Sequence, residues 1–443
     1  MNIISGKFIK SRYFFFIILS FILKFMLMPI SAHSDLLAIN MFPALIRNGV
    51  FDVYSYIQNS NNPNIYYYHP IVYFCVGAFQ YGYTIFSSTF LSWIYDLRHL
   101  YLNGITTRST DYFLFVNDVH LFKDLFIIKI PYLVFDVLSL IIINQFIQYK
   151  LISRGNVILW VFNPLIIYVA YIFGQFDVIP GFFVLFGYLL LYKKKLMGSS
   201  LMFGVAGAFK IYAFILFLPV VLIYAKNKKS LCLMLLVSSL PFIVFLIPSL
   251  VSNPKLALYA STMGNLALYN RETYGWEHFS SLIKMTIFAI SYLIILISSL
   301  VLKVQNKWKF ALGINLITLL MFYTFFYRAH FQYLLWASPL IILWFKQAKI
   351  SSYIIILLTL SFASYKILSN QLQAGLFAPI NPEYFSNLPT FNEIINRYFP
   401  YRIISTLGFM AFSLLSLVII TSIVFRIIFQ EEIYLTGKEK SRS

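Results

Sequence analysis

Apolar residues in this chain arrive in unbroken blocks, and polar residues gather between them. Blocks at 13–30, 156–172, 230–250 and 286–302 are dominated by Leu, Ile, Phe and Val. At roughly 1.5 Å per helical residue, such blocks match the ~30 Å hydrocarbon core of a bilayer. Strands of a membrane β-barrel would alternate apolar and polar positions over about 10 residues, the opposite pattern. The chain therefore reads as an all-α polytopic membrane protein. Lys7, Lys10 and Arg12 precede the first block and Ser31-Ala32-His33-Ser34 follows it; the block is long for a signal-peptide core and reads as a retained span.

Composition agrees. Of 443 residues, 60% are hydrophobic and 11% charged, which excludes an ordinary soluble enzyme. The net charge of +19 would suggest nucleic acid in a soluble protein. Here the positive-inside rule accounts for it, and no nucleic-acid partner is expected. Cys75 and Cys232 stand far apart in apolar sequence and offer neither a disulfide framework nor metal-ligand spacing.

The basic loops are Lys150/Arg154, Lys193–Lys195, Lys226/Lys228/Lys229, Lys303/Lys307/Lys309, Lys346/Lys349 and the tail Lys438/Lys440/Arg442. Placing them and the N-terminus in the cytoplasm has two consequences. The N-terminus and Lys150 then enclose an even number of crossings, so 31–123 becomes one long external segment and the softer stretch 71–91 a surface or re-entrant helix. The Lys193 and Lys226 clusters flank a single apolar block, 201–224, with Lys210 near its centre. That block must dip in and return as two short arms, which membranes tolerate only where the break lines a protein cavity. Further spans near 230–250, 279–302, 310–326, 331–346, 350–367 and 401–427 bring the expectation to about ten crossings plus re-entrant pieces. It is a single transmembrane domain over 1–443, with external loops 31–123, 251–278 and 368–400 and both termini cytoplasmic. The acids, which played no part in building this scheme, fall outside in 11 of 15 cases. Any chemistry is expected on that face.

Asp35 follows the first span. It is either a charge at a helix end or a general base for an attacking hydroxyl. Tyr68 and His69 close an aromatic run before Pro70; interfacial anchoring explains such runs as readily as substrate binding does. Gln175 and Asp177 lie in Gly174-Gln175-Phe176-Asp177, where Asp177 with Pro180 also fits a helix N-cap. Lys210 at membrane depth needs a partner or water; it either snorkels or holds a phosphate oxygen. Lys129 and Asp136 are about 10 Å apart along one helix, too far to pair, and Lys24 is the expected partner of Asp136. A late external hairpin carries Arg328, His330, Gln332 and Tyr333, and Trp276 closes a polar, aromatic loop.

Taken in order, these residues resemble the GT-C class of integral-membrane glycosyltransferases, especially the mannosyltransferases of GPI-anchor synthesis and their bacterial relatives. The shared pattern is Asp35, then Tyr68-His69-Pro70, then Lys129-x-Pro131 with Asp136, Asn163-Pro164, and Gly174-Gln175-x-Asp177. Gly204 with Lys210-x-Tyr212 follows, and then Gln332-Tyr333-x-x-Trp336-x-x-Pro339. The resemblance implies an inverting transferase at the external face that moves a sugar, mannose in the first instance, from a polyprenyl-phosphate donor to a glycan or glycolipid acceptor. It implies Asp35 as base, Lys210, Arg328 and His330 on the donor phosphate, and Tyr68, His69, Gln175, Asp177, Tyr212, Trp276, Gln332 and Tyr333 around the substrate. A second acid in an Asp-x-Asp pair is missing after the first span, so no cofactor is assigned and a divalent metal is left open. The Ile/Asn/Lys/Phe bias is compatible with a bacterial inner-membrane protein surrounded by lipid. A transporter or flippase of lipid-linked saccharides, and a non-catalytic envelope subunit, are the alternative readings.

Overall fold

A computed structural model describes residues 12–47, 49–59, 68–84, 118–263, 276–325, 330–348, 352–365 and 374–429. Among these every regular element is helical. Six segments, 121–148, 155–173, 228–252, 282–301, 307–325 and 403–427, are long and apolar enough to cross a membrane. The protein is a multi-pass, all-α membrane protein.

The first block becomes α1 (Arg12–Leu27), which stops two residues before Pro29. Proline disfavours helical backbone in the residue before it, so the stop is local in origin. The segment expected as a long external loop is itself helical: α2 (Ser34–Arg47), α3 (Val53–Asn59) and α4 (Pro70–Tyr83). Gln80 donates to the Asn40 carbonyl at 2.7 Å and the Phe42 and Tyr73 rings meet edge to face, joining α4 to α2. With 14 residues, α4 is too short to cross the core, and residues 85–91 of the expected re-entrant stretch lie outside the described residues.

Next come α5 (Leu121–Ile128) and α6 (Ile130–Gln148), then α7 (Gly155–Val161) and α8 (Pro164–Ile166). The last runs into a π-helical turn (Ile167–Phe173) that ends at Gly174. Gly174 has φ +85°, and a Cβ there would lie 2.9 Å from the Leu36 side chain, so glycine is required by both backbone and space. The next helix is α9 (Val178–Tyr192).

The block at 201–224 is broken where its charge sits. α10 (Leu196–Phe209) and α11 (Tyr212–Tyr224) meet at Lys210, whose backbone is extended. The Phe203 and Phe217 rings stack at 5.5 Å, and Gly207 abuts Phe214, so residues equidistant from the break face each other. The two arms form an antiparallel hairpin. The remainder is α12 (Lys228–Ser252), α13 (Pro254–Leu258), α14 (Trp276–Val301), α15 (Lys307–Phe325), α16 (Ser338–Ala348), α17 (Ser352–Tyr365), α18 (Pro382–Asn387), α19 (Phe391–Tyr398) and α20 (Tyr401–Phe429). The segments expected as loops 251–278 and 368–400 thus also carry short helices.

Four of the basic loops share one end of the bundle. Lys193 donates to Gln145 at 3.0 Å, Tyr149 packs on Tyr192, Tyr192 on Trp308, and Lys307 lies over the Tyr224 ring. Helices that leave this end bring Asp177, Lys210 and the 28–35 turn to the other.

Candidate active site

Asp35 sits in the first turn of α2, where the amide dipoles favour a carboxylate. The expectation that it rides on the end of the first span is corrected: a turn over 28–33 intervenes, placed by the Ala32 N–H donating to the Leu376 carbonyl at 2.9 Å. The side chain is 22% exposed. Its Oδ2 accepts from Gln175 Nε2 at 2.5 Å, and the same nitrogen lies 3.5 Å from the Tyr68 hydroxyl. His33 Nδ1 accepts the Asp35 N–H at 3.1 Å and its ring stacks on Phe173 at 3.9 Å. Burial lowers the His33 pKa against the pull of Asp35, so a neutral ring stands beside the carboxylate. Burial, with the Asp35 charge second, raises the Tyr68 pKa well above the usual phenol value and keeps its proton in place.

Asp177 does not cap its helix. Its side chain makes no cap hydrogen bond; Oδ1 instead accepts from the Trp336 indole N–H at 2.6 Å and lies 3.7 Å from Lys210 Nζ. Oδ2 is buried with no hydrogen-bond partner among the described residues. Burial pushes this carboxyl above the usual range, and the Lys210 charge and the indole N–H pull it back. The Lys210 ammonium is held over three ring faces, Phe176 at 4.7 Å, Tyr68 at 5.3 Å and Tyr333 at 5.8 Å. A cation over aromatic faces in a partly dry site is attracted without being neutralised.

The wall beyond Asp177 is a stack of three rings. Trp336 lies between Tyr212 at 4.2 Å and Tyr333 at 4.1 Å, and His330 meets Tyr333 edge to face at 5.3 Å. Tyr212 OH, Gln175 Oε1 and Gln332 Oε1 are buried polar atoms with no hydrogen-bond partner among the described residues.

Asp35, Tyr68, Gln175, Asp177, Lys210, Tyr212 and Tyr333, with His330 beside Tyr333, therefore converge at one place. His69 is turned elsewhere. Its Nδ1 accepts the Ile71 N–H and caps α4, and its Nε2 donates to the Phe242 carbonyl at 3.0 Å. Burial lowers its pKa to about 4, so both nitrogens serve as a neutral joint between α4 and α12. Arg328 lies outside the described residues. Trp276 opens α14, with its side chain also outside them. Two further members, Phe176 under Lys210 and Trp336 as donor to Asp177, were not among the expected site residues. Their signal was available, since each stands inside a motif that holds one of the polar members. Among the described residues no three His, Cys, Asp or Glu side chains come together.

No family model, curated protein or solved structure matches this chain. The site must be read from its own chemistry. It offers one carboxylate open to solvent, one ammonium held in an aromatic cage about a second, buried carboxylate, and a stacked aromatic wall. Such a set can accept a proton at one point and hold an anion at another.

Proposed function

We propose that the protein is an inverting glycosyltransferase that moves a hexose, mannose in the first instance, from a polyprenyl-phosphate donor to a glycan or glycolipid hydroxyl. Asp35 takes the proton of the attacking hydroxyl as that oxygen bonds to the anomeric carbon from the face opposite the phosphate. The carbon–phosphate oxygen bond breaks, and the departing polyprenyl phosphate gains negative charge beside Lys210. Stabilising developing charge with a fixed cation in a site of low dielectric is commonly a large part of catalysis. Arg328 and His330 are the further cationic candidates. The aromatic wall of Tyr212, Trp336 and Tyr333 suits the faces of a sugar ring.

The observation that carries this reading is the meeting of Asp35 with Gln175, and of Asp177 with Lys210, around Tyr68 and Phe176. The site lies at the end of the bundle opposite the shared basic loops. By the positive-inside rule those loops are cytoplasmic, which makes the site external in a membrane crossed about ten times, with the two-armed 201–224 block re-entering to deliver Lys210. A transporter would use ionisable groups at membrane depth, of the kind that Lys24, Asp136 and Lys210 supply. Lys24 and Asp136 are bonded to each other, and so are closed to a passing substrate.

The test is transfer in membranes supplied with a panel of polyprenyl-phosphate sugars. One donor is expected to be used, and Asp35→Asn is expected to lose roughly 10²- to 10⁴-fold in rate, the range for a positioned proton acceptor. Full activity in that variant rejects Asp35 as base. Inactivity of the wild type on every donor, combined with uptake of a lipid-linked saccharide, selects the transporter.

A further inference from the structure

Lys129 stands at the junction of α5 and α6, is fully buried, and has no carboxylate against it among the described residues. Its ammonium donates instead to the Met28 carbonyl at 2.9 Å, the Ser31 carbonyl at 2.6 Å, Ser31 Oγ at 2.9 Å and the Tyr171 carbonyl at 2.9 Å. Four acceptors share three N–H groups, so no donor is left for a substrate. The carbonyls belong to the chain leaving α1 and to the end of the π-helical turn, where helices concentrate negative partial charge. A buried cation can be offset there without an acid. Ser31 Oγ lies 3.0 Å from the same Tyr171 carbonyl, and one turn further along α6 the Tyr132 hydroxyl donates to the Gly174 carbonyl at 3.1 Å.

Both gripped segments lead straight into the site. Residues 28–31 run into Asp35 four positions later, and 171–174 run directly into Gln175. The two side chains then meet across the gap, Gln175 Nε2 on Asp35 Oδ2 at 2.5 Å. Further along α6, Asp136 Oδ2 also accepts from Lys24 of the last turn of α1 and from the Tyr171 hydroxyl, so Lys129 is the contact that grips residues 28–31 themselves.

We infer that Lys129 is a positioning residue: its ammonium pins the ends of α1 and the π-helical turn together and so sets the register in which Gln175 holds the Asp35 carboxylate. The kinetic part of its test rests on the transferase reading above, and the exchange part does not. In purified full-length protein, Lys129→Met is expected to speed amide hydrogen exchange at least tenfold in 32–36 and 172–176, with the other helices within about twofold of wild type. In the transfer assay, kcat per folded molecule is expected to fall 10- to 100-fold while KM for the donor stays within threefold. In a Gln175→Ala background the same substitution is expected to add less than a threefold further loss, because both changes release the same contact.

Unchanged exchange in the two segments, or a rise spread evenly over all helices, overturns the inference and leaves Lys129 as an ordinary fold contact. So does a multiplicative loss in the Gln175→Ala background. If Lys129→Met does not fold, Ser31→Ala is read instead, since it removes one of the four acceptors. It is expected to speed exchange about threefold in the same two segments, and no local change overturns the pin. A wild type inactive on every donor removes the transferase reading and leaves the exchange result standing on its own.

Discussion

Among the described residues, two lysine–aspartate pairs lie inside this protein, and they are built to opposite ends. Lys24 and Asp136 meet at 2.7 Å with both side chains wholly buried. Tyr171 OH on one carboxylate oxygen and Trp160 Nε1 on the other, each at 2.7 Å, complete the set. Lys210 and Asp177 stand 3.7 Å apart; the lysine is 12% exposed and the acid has an oxygen without a hydrogen-bond partner among the described residues. A buried ion pair whose remaining lone pairs are filled is a closed structural unit, and the cost of breaking it is high. The second pair keeps its cation at the mouth of a site and its acid under strain from burial, a poised arrangement of the kind that gathers at functional sites. Residue type does not separate the two pairs. The completeness of their hydrogen bonding does.

The largest effect should come from the closed pair. Lys24→Met leaves Asp136 buried without its cation and is expected to cost about 3–5 kcal/mol, seen as lost monodisperse protein and a lower unfolding midpoint in detergent. Pairing it with Asp136→Leu should recover most of that loss, since an apolar replacement of both partners removes the uncompensated charge. A Lys24→Met protein as stable as wild type would erase the distinction between the pairs.

Lys210→Met should invert the pattern. Transfer is expected to fall by about 10²- to 10³-fold, the effect of deleting a charge-stabilising group, with a smaller loss of stability than Lys24→Met. Reversed magnitudes in the same two assays would assign the structural role to Lys210. Next in size is Trp336→Phe, which keeps the stacked ring but deletes the indole donor to Asp177. It is expected to cost about 1–3 kcal/mol of stability, the range for an abandoned buried acceptor.

The smallest effect is a pH difference. The Asp177 carboxyl has a folded pKa raised above its unfolded one, first by burial. The protonated acid therefore contributes stability that is present below the unfolded pKa and lost as pH rises through the folded one. Lys210 lowers that folded pKa, so removing the lysine shifts the loss to higher pH and enlarges it. Unfolding midpoints at pH 5 and pH 8 should thus differ more in Lys210→Met than in wild type, and the extra difference should vanish when Asp177→Asn is added.

Much of the architecture could be read in advance because its causes are local. Apolar runs set the spans, Pro29 stops the first helix, and clustered lysines mark one end. The break at Lys210 was legible because a lone charge in an apolar block and two flanking basic loops admit few other solutions. The Lys24–Asp136 pair was legible for a similar reason, since few opposite charges at depth were free to combine. The sequence leaves Asp177 open between a helix cap and a site residue, because Asp followed by Pro looks the same whether the carboxylate turns to its own backbone or to an indole 159 positions away. His69 looked like a substrate ligand because no pattern announces that both its nitrogens are taken by backbone.

By itself, then, the sequence determined the solvent this chain folds in, the helices it forms and the end at which its cations gather, since each follows from residues within a turn or a span of one another. Tertiary structure decided which polar groups are spent on holding the fold and which remain open. Lys129 shows why: its partners are three backbone carbonyls and one serine hydroxyl, between 42 and 101 residues away. Backbone carbonyls occur at every position, so only the packing of α1 and the π-helical turn against α6 could select these.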